Sequence, residues 1–293
     1  GPVAKLLPSV HAIEREFRVM RALRAQGIAV PQALLLVEDE SIIGRAFYVM
    51  QHIDGRIFWE QSLPGLAPSE RAAIYDEMNR VLAQLHTVDV ARAGLADYGR
   101  AGNYFERQIG RWSRQYRASE TDRIDAMDRL IDWLPQHVPA GDETTVVHGD
   151  YRMDNLIFHP AEPRIVAILD WELSTLGHPL ADFAYHCMSW HIAPGGFRGI
   201  AGLDHAALGI PTEAYYVQRY VQRTGRAPIA RANWNFCLAY NLFRIAAILQ
   251  GVYKRATEGL ASSEDALQHG DNARMLGELG WTYAQRAARD THA

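Results

Sequence analysis

The sequence predicts an α+β chain of two lobes, a small β-containing one first and a large, mainly helical one after it. Three observations predict this. Two β-rich runs, ALLLVED (Ala33 to Asp39) and RAFYVMQHI (Arg45 to Ile53), flank turn-prone residues and read as an antiparallel hairpin. Beyond them, apolar residues recur mostly at helical spacing. One strand-rich stretch, around Thr144 to Asp170, is embedded in that helical part. The DGR segment at Asp54 to Arg56 breaks the β pattern and marks the boundary, which gives lobes at residues 1–53 and 54–293.

Ser9 is placed to cap a first helix that runs to about Gln26 and ends at Gly27. Its apolar stripe is Ile13, Phe17, Met20 and Leu23. Glu16 lies inside that stripe, where an unpaired carboxylate is costly, so it calls for a partner. Ser69 to His86 is amphipathic, with Ile74, Met78, Val81, Leu82 and Leu85 on one side. Thr212 to Arg223, Ala232 to Arg255 and Ser262 to Arg289 read as further helices. The longest apolar stretch, Phe236 to Tyr253, is interrupted by Asn241, Arg244 and Gln250 and reads as a buried helix, not a membrane span.

Bulk properties exclude some classes. The 293 residues carry a formal charge of −4 and a pI of about 6.3, with no sign of nucleic-acid binding. The two cysteines, Cys187 and Cys237, form neither a disulfide framework nor a C-x-x-C metal motif, which sets a reducing cytoplasm as the expectation. The opening GPVAKLLPSV lacks the apolar core of a signal peptide.

The informative stretch is VVHGDYRMDNLIFHP, Val146 to Pro160, followed by IVAILDWE, Ile165 to Glu172. LIF and IVAIL read as two strands joined by the turn HPAEPR. In an antiparallel hairpin the start of one strand lies beside the end of the other. Asn155 and Asp170 should therefore share one end, next to the loop that carries Asp150. One amide oxygen and one carboxylate converging in this way suit Mg²⁺, which takes hard oxygen ligands and few of them from protein. Asp150 would then be free to accept a proton. Phosphoryl transfer needs both functions. A plain hairpin with polar ends is the competing explanation of the same residues.

HGDYRMDN followed by ILDWE resembles the phosphotransferase motif of aminoglycoside phosphotransferases and choline-kinase-like enzymes, small-molecule relatives of the protein kinases. With STLGHPLADFAY (Ser174 to Tyr185), the sequence is most similar to the kinase-like domains associated with acyl-CoA dehydrogenases. The resemblance extends from HAIEREFRVM through LAQLHTVD and GNYFERQIGRWSRQY. It implies a protein-kinase-like two-lobed fold, ATP and Mg²⁺ as cofactors, and transfer of the γ-phosphate to the hydroxyl of a small molecule. By the same resemblance Asp150 is the catalytic base, and Asn155 and Asp170 are the metal ligands. Arg152 stands near the transferring phosphate, His148 holds the loop, and Glu172 lies just outside the metal ligands. Asp182 caps its helix or braces the catalytic loop. His178 stands where an aspartate is common. Glu16 matches the helix glutamate that pairs with a phosphate-gripping lysine. VMQHID (Val49 to Asp54), with Met50 and His52, matches the connector that contacts adenine. The lysine strand and phosphate-covering loop should precede Glu16, where only GPVAKLLPSV stands, and Lys5 is not assigned the lysine's role.

For the acceptor, Arg107, Arg111 and Arg114 fall at helical spacing with Tyr104 and Trp112 nearby. A polycationic aminoglycoside prefers acidic surroundings, so this basic face favours an anionic or neutral acceptor; charge runs also commonly face water. The resemblance suggests a hydroxyacyl-CoA or hydroxy acid. The alternatives are a pseudokinase-like ligand-binding module, a true aminoglycoside phosphotransferase, or a metal-dependent hydrolase using His148, Asp150 and Asp170.

Overall fold

A computed structural model describes residues 13–195, 197–259 and 268–291. The chain forms two compact units. The first contains residues up to Ala101, Thr144–Asp182 and Leu203–Arg226, and the second contains Gly102–Glu143, Phe183–Gly202 and Ala227 onward.

The first unit begins with helix α1 (Ile13–Ala25), which buries Val19, Met20 and Leu23 and ends where Gly27 turns to positive φ. Ser9 and Lys5 lie outside the described residues. Strands β1 (Ala33–Val37) and β2 (Phe47–Met50) pair antiparallel, Leu35 opposite Val49. The ribbon is shorter at its distal ends than the β-rich runs, because Glu38 to Gly44 are exposed and form turns. Helix α2 (Pro68–His86) starts at a proline, which has no N–H to lose in a first turn, and buries Ile74, Met78, Val81, Leu82 and Leu85.

Three short strands follow in the order the sequence suggested: β3 (Thr145–Val147), β4 (Leu156–Phe158) and β5 (Ile165–Ile168). Strands β4 and β5 form the anticipated hairpin, Leu156 opposite Ile168. Strand β3 pairs instead with β6 (Thr175–Gly177), a three-residue strand too short to show a period. Gly55 and Arg56 dock on the edge of β4 through Arg56 N to Phe158 O, 2.8 Å, and Phe158 N to Arg56 O, 2.9 Å. A Cβ on Gly55 would come within 2.3 Å of the Phe158 carbonyl, so only glycine allows this approach. Helix α5 (Pro179–Cys187) carries the division between the units just after Asp182. Helices α6 (His205–Leu208) and α7 (Glu213–Thr224) complete the unit; Thr212 caps α7 by accepting from Tyr215 N.

The second unit is helical. Helix α3 (Tyr104–Ser119) packs on α8 (Arg231–Thr257), and α4 (Asp125–Trp133) packs on α9 (His269–Thr291), which also packs on α8. The expected start of the last helix at Ser262 falls outside the described residues. Helix α8 is long and apolar enough to cross a membrane by length and composition, with a mean hydropathy of 1.3, and 83% of that window is buried. That is how a core helix behaves.

Candidate active site

The site is built in the first unit from the loop between β3 and β4 and from the end of β5. Loop entry depends on Gly149, at φ +84°, where a Cβ would sit 2.7 Å from the Leu173 carbonyl. Asp182 holds the loop from below: Oδ2 accepts from His148 N at 2.7 Å and Oδ1 from Gly149 N at 2.9 Å. His86, at the end of α2, approaches the same Oδ2 at 3.2 Å, and its Nδ1 lies 2.6 Å from the Tyr220 hydroxyl. Burial pushes the Asp182 carboxyl up, but the bonds from His86 and His148 win and hold it below the usual aspartate range.

His148 is fully buried and its two nitrogens have different work. Nε2–H donates to Leu169 O at 2.8 Å, which leaves Nδ1 to accept from Asp150 N at 3.2 Å. These partners define one tautomer. Tyr151, also buried, donates its hydroxyl to Met78 O at 3.0 Å and pins the loop to α2. The backbone that presents Asp150 is thus held on three sides.

Asn155 opens β4, and its carbonyl accepts from Leu169 N at 2.8 Å. Its side-chain NH₂ donates to the Asp150 carbonyl at 2.9 Å and to Asp150 Oδ2 at 3.1 Å, leaving the amide oxygen for another ligand. Asp170, two residues past the end of β5, takes the left-handed conformation, φ 65° and ψ 62°, which a short polar side chain tolerates better than most. The Trp171–Leu173 turn follows, and Trp171 Nε1 donates back to Ile168 O at 2.9 Å. Glu172 lies in that turn. Burial raises the Asp170 carboxyl above its usual range, and the charges of Asp150 and Asp154 raise it further against His148 and Arg152. The hairpin therefore brings Asp150, Asn155 and Asp170 together. The repulsion of the Asp170 carboxylate by Asp150 and Asp154 is what a divalent cation would relieve. Among the described residues no three His, Cys, Asp or Glu side chains form a metal cage.

Arg152 forms an ion pair with Asp150, Nε to Oδ2 at 2.9 Å, without the alignment of a hydrogen bond, and lies 3.6 Å from Asp154 Oδ2. Glu16 accepts from the Tyr48 hydroxyl at 3.0 Å. Burial raises the Tyr48 phenol, followed by the charges of Glu16 and Asp170, which puts α1, β2 and the end of β5 in one electrostatic neighbourhood. Lys5 and Lys254 are the only lysines in the chain. Met50 pairs with Ala33 and is 40% exposed; His52 is exposed, 3.6 Å from the equally exposed Asp54. His178 accepts from Leu180 N at 3.2 Å and caps the first turn of α5. Tyr104, Arg107, Arg111 and Trp112 lie on α3 in the second unit, the two aromatics buried and the two arginines half-buried, while Arg114 is exposed.

Sequence reasoning passed over Tyr48, His86 and Tyr220, and it singled out Asp154 without giving it a role. His86 alone had a signal: a histidine closing an apolar helix face, just before the strand that feeds the loop. Tyr48 and Tyr220 act through partners far along the chain, which periodicity does not reveal.

A profile of the phosphotransferase enzyme family matches residues 4–216. The mouse acyl-CoA dehydrogenase family member 10 is 51% identical over 288 residues, which cover 97% of this chain and 27% of that protein. The rat family member 11 is 43% identical, covering 97% of this chain and 37% of that one. The chain therefore spans less than half the length of these relatives. Among solved structures, a Ralstonia eutropha protein provisionally assigned as an aminoglycoside phosphotransferase is 63% identical, with a TM-score of 0.90, covering 94% of this chain and 84% of that one. An aminoglycoside phosphotransferase solved with AMP-PNP and hygromycin B shares the fold at 15% identity, with a TM-score of 0.59 over 91% of this chain and 82% of that one. The hairpin-borne carboxylates, the braced loop and these likenesses lead to one conclusion: the chain has the protein-kinase-like fold of small-molecule phosphotransferases and belongs to the phosphotransferase enzyme family.

Proposed function

We propose that the chain catalyses ATP- and Mg²⁺-dependent transfer of the γ-phosphate to a hydroxyl of a small molecule, a hydroxyacyl-CoA or hydroxy acid. The observation that carries this reading is the convergence of Asp150, Asn155 and Asp170 on one end of a buried hairpin. Asp150 accepts the proton of the acceptor hydroxyl and aims its oxygen. Asn155 steadies Asp150 through its NH₂ and, with Asp170, would hold Mg²⁺, which supplies charge neutralisation on the nucleotide phosphates. Arg152, beside Asp150, is placed to stabilise charge that develops on the transferring group. Asp182 and His148 keep the loop in register. In this reading residues 1–53 form the nucleotide-side lobe, with Met50 and His52 on the adenine side, and residues 54–293 carry catalysis and the acceptor.

The relatives' names support the acyl-CoA context, and the basic α3 face supports an anionic acceptor. A γ-phosphate transfer assay over a panel of hydroxy acids, hydroxyacyl-CoAs, amino sugars and choline-like alcohols tests the reading. Transfer to hydroxy acids or their CoA esters, abolished in Asp150→Ala, is the expected result. Transfer confined to amino sugars would overturn the acceptor, and no transfer despite nucleotide-dependent thermal stabilisation would overturn catalysis in favour of a binding module.

A further inference from the structure

His86 grips the strand that feeds the catalytic loop at both of its ends. Its carbonyl accepts from the Thr145 hydroxyl at 3.0 Å, where β3 begins. Its Nε2 lies 3.2 Å from Asp182 Oδ2, and the same carboxylate accepts from His148 N and Gly149 N just past the end of β3. The His86 and Asp182 side chains are fully buried. An ionised carboxylate can only accept, so the ring nitrogen that faces it carries the proton. Nδ1 is then an acceptor, and the Tyr220 hydroxyl, 2.6 Å away, is its donor. Every proton of the chain therefore points one way, from Tyr220 to His86 and from His86 to Asp182.

The position of Tyr220 is fixed independently of this chain. Tyr216, Tyr220 and Arg223 share one face of α7 by their spacing. Asn79 Nδ2 on α2 donates to Tyr216 O at 2.8 Å, and Arg223 donates to Asn79 Oδ1 at 2.9 Å and to Asp76 Oδ2 at 2.7 Å. The rings of His86 and Tyr220 meet edge-on, centroids 5.8 Å apart at 87°, a contact that phenylalanine would make equally well. What phenylalanine lacks is the donor. Without it the buried Nδ1 loses its partner, and the ring gains freedom to turn its N–H away from the carboxylate.

We propose that His86 and Tyr220 are positioning residues for the transfer reaction. Tyr220 selects the His86 tautomer that donates to Asp182, and His86, through Asp182, sets where the loop presents Asp150. The effect on rate rests on the phosphotransferase reading; the tautomer and the hold on the loop do not.

Two substitutions at His86 separate positioning from packing. His86→Gln places an amide N–H near the position of Nε2 and keeps the donor to Asp182, whereas His86→Asn reaches only as far as Nδ1 and loses it. Both remove the imidazole, so a role in packing alone would make them alike in rate. The expected kcat is within about threefold of the unsubstituted chain in His86→Gln and about 10–100-fold lower in His86→Asn, with KM changed less than about twofold in both. Tyr220→Phe should lower kcat about 3–10-fold, the size of one neutral hydrogen bond, and should lower it no further in the His86→Gln background. Imidazole ¹⁵N spectra, with His86→Gln identifying the His86 signals, should show the Nε2–H tautomer. The His148 and Gly149 amides should exchange faster in His86→Asn and Tyr220→Phe, and at the original rate in His86→Gln. Should His86→Asn fail to fold, Tyr220→Phe still decides. Equal loss of kcat in the two His86 variants, an additive effect of Tyr220→Phe, or an Nδ1–H tautomer overturns the proposal. The expected tautomer and exchange pattern in a chain that phosphorylates no hydroxyl uphold the hold on the loop and count against the phosphotransferase reading alone.

Discussion

The first unit contains two antiparallel ribbons of similar size and opposite character. Strands β1 and β2 pair over Ala33 to Met50, and β4 and β5 over Leu156 to Ile168; each ribbon carries one register irregularity. Two-stranded ribbons are marginal in water by themselves, so their surroundings decide their rigidity. The β4–β5 ribbon is enclosed: Arg56 bridges to Phe158, Ile168 N donates to Ala29 O at 2.8 Å, and Ile165 N donates to Glu77 Oε1 at 3.0 Å. The β1–β2 ribbon has α1 on one side, Phe17 lying 6.4 Å from Tyr48, while Leu34, Leu35, Val49 and Met50 are 40–55% exposed. The candidate metal-binding residues Asn155 and Asp170 flank the enclosed ribbon. The candidate adenine contacts Met50 and His52 stand on or beside the open one. Substitutions should therefore be felt very unequally on the two.

The largest effect is expected at the enclosed ribbon's end. Asp150→Asn should lower kcat by about 10²–10⁴-fold, the range for a positioned base, while leaving the denaturation midpoint nearly unchanged. The carboxamide is nearly isosteric, and the backbone bonds to His148 and Asp182 do not depend on it. A variant with full transfer rate would remove the enclosed ribbon's claim to the chemistry.

Next in size is the brace. Asp182→Ala strips the acceptor from two backbone N–H groups and from His86, all buried, and should cost about 3–5 kcal/mol in urea unfolding. Its pH dependence has a definite sign. The native carboxyl lies below its unfolded value of about 3.9, so its stabilisation is present above that value and is lost as pH falls through the native one. Asp182→Asn should flatten this acid limb, measured as unfolding free energy against pH. An unchanged limb would transfer the brace's role to other carboxyls.

Gly55→Ala tests the flank. The added Cβ meets the Phe158 carbonyl at 2.3 Å, and forced overpacking of this kind costs about 1–3 kcal/mol. The loss should appear both in stability and, through Asn155, in transfer rate. Loss of stability without loss of rate would uncouple the ribbon's edge from its catalytic end.

Much of this division was legible in the sequence, for a physical reason. The short apolar runs LIF and IVAIL and the turn HPAEPR between them define the β4–β5 hairpin locally, and a hairpin's geometry leaves little freedom in where Asn155 and Asp170 go. The first helix, α2, α7 and α8 were legible because their apolar stripes are long. Strand β6 was not: three residues, Thr175 to Gly177, become a strand only because β3 lies beside them. The Asp182–His86–Tyr220 chain was half legible. Asp182 was expected to cap or brace, but its partners come from residues 96 and 38 positions away, and only tertiary packing brings them together. The Glu16 carboxylate demanded a partner by its place in an apolar stripe, and the Tyr48 hydroxyl answers part of that demand.

The smallest effect belongs to the open ribbon and is the sharpest test of the contrast. Leu35 is 53% exposed and faces Val49, itself 41% exposed, across the strands. Leu35→Thr removes little apolar area from a protected place, and threonine, being β-branched, favours an extended backbone. The expected change is within about 0.5 kcal/mol, the usual range for surface substitutions. The same substitution at Leu156, which is fully buried on the enclosed ribbon, combines lost burial with a buried hydroxyl and should cost about 2–5 kcal/mol. Paired thermal melts of the two variants read the difference directly. If Leu35→Thr proved as damaging as Leu156→Thr, the outer face of β1–β2 would be covered in solution, and the two ribbons would be alike in support after all.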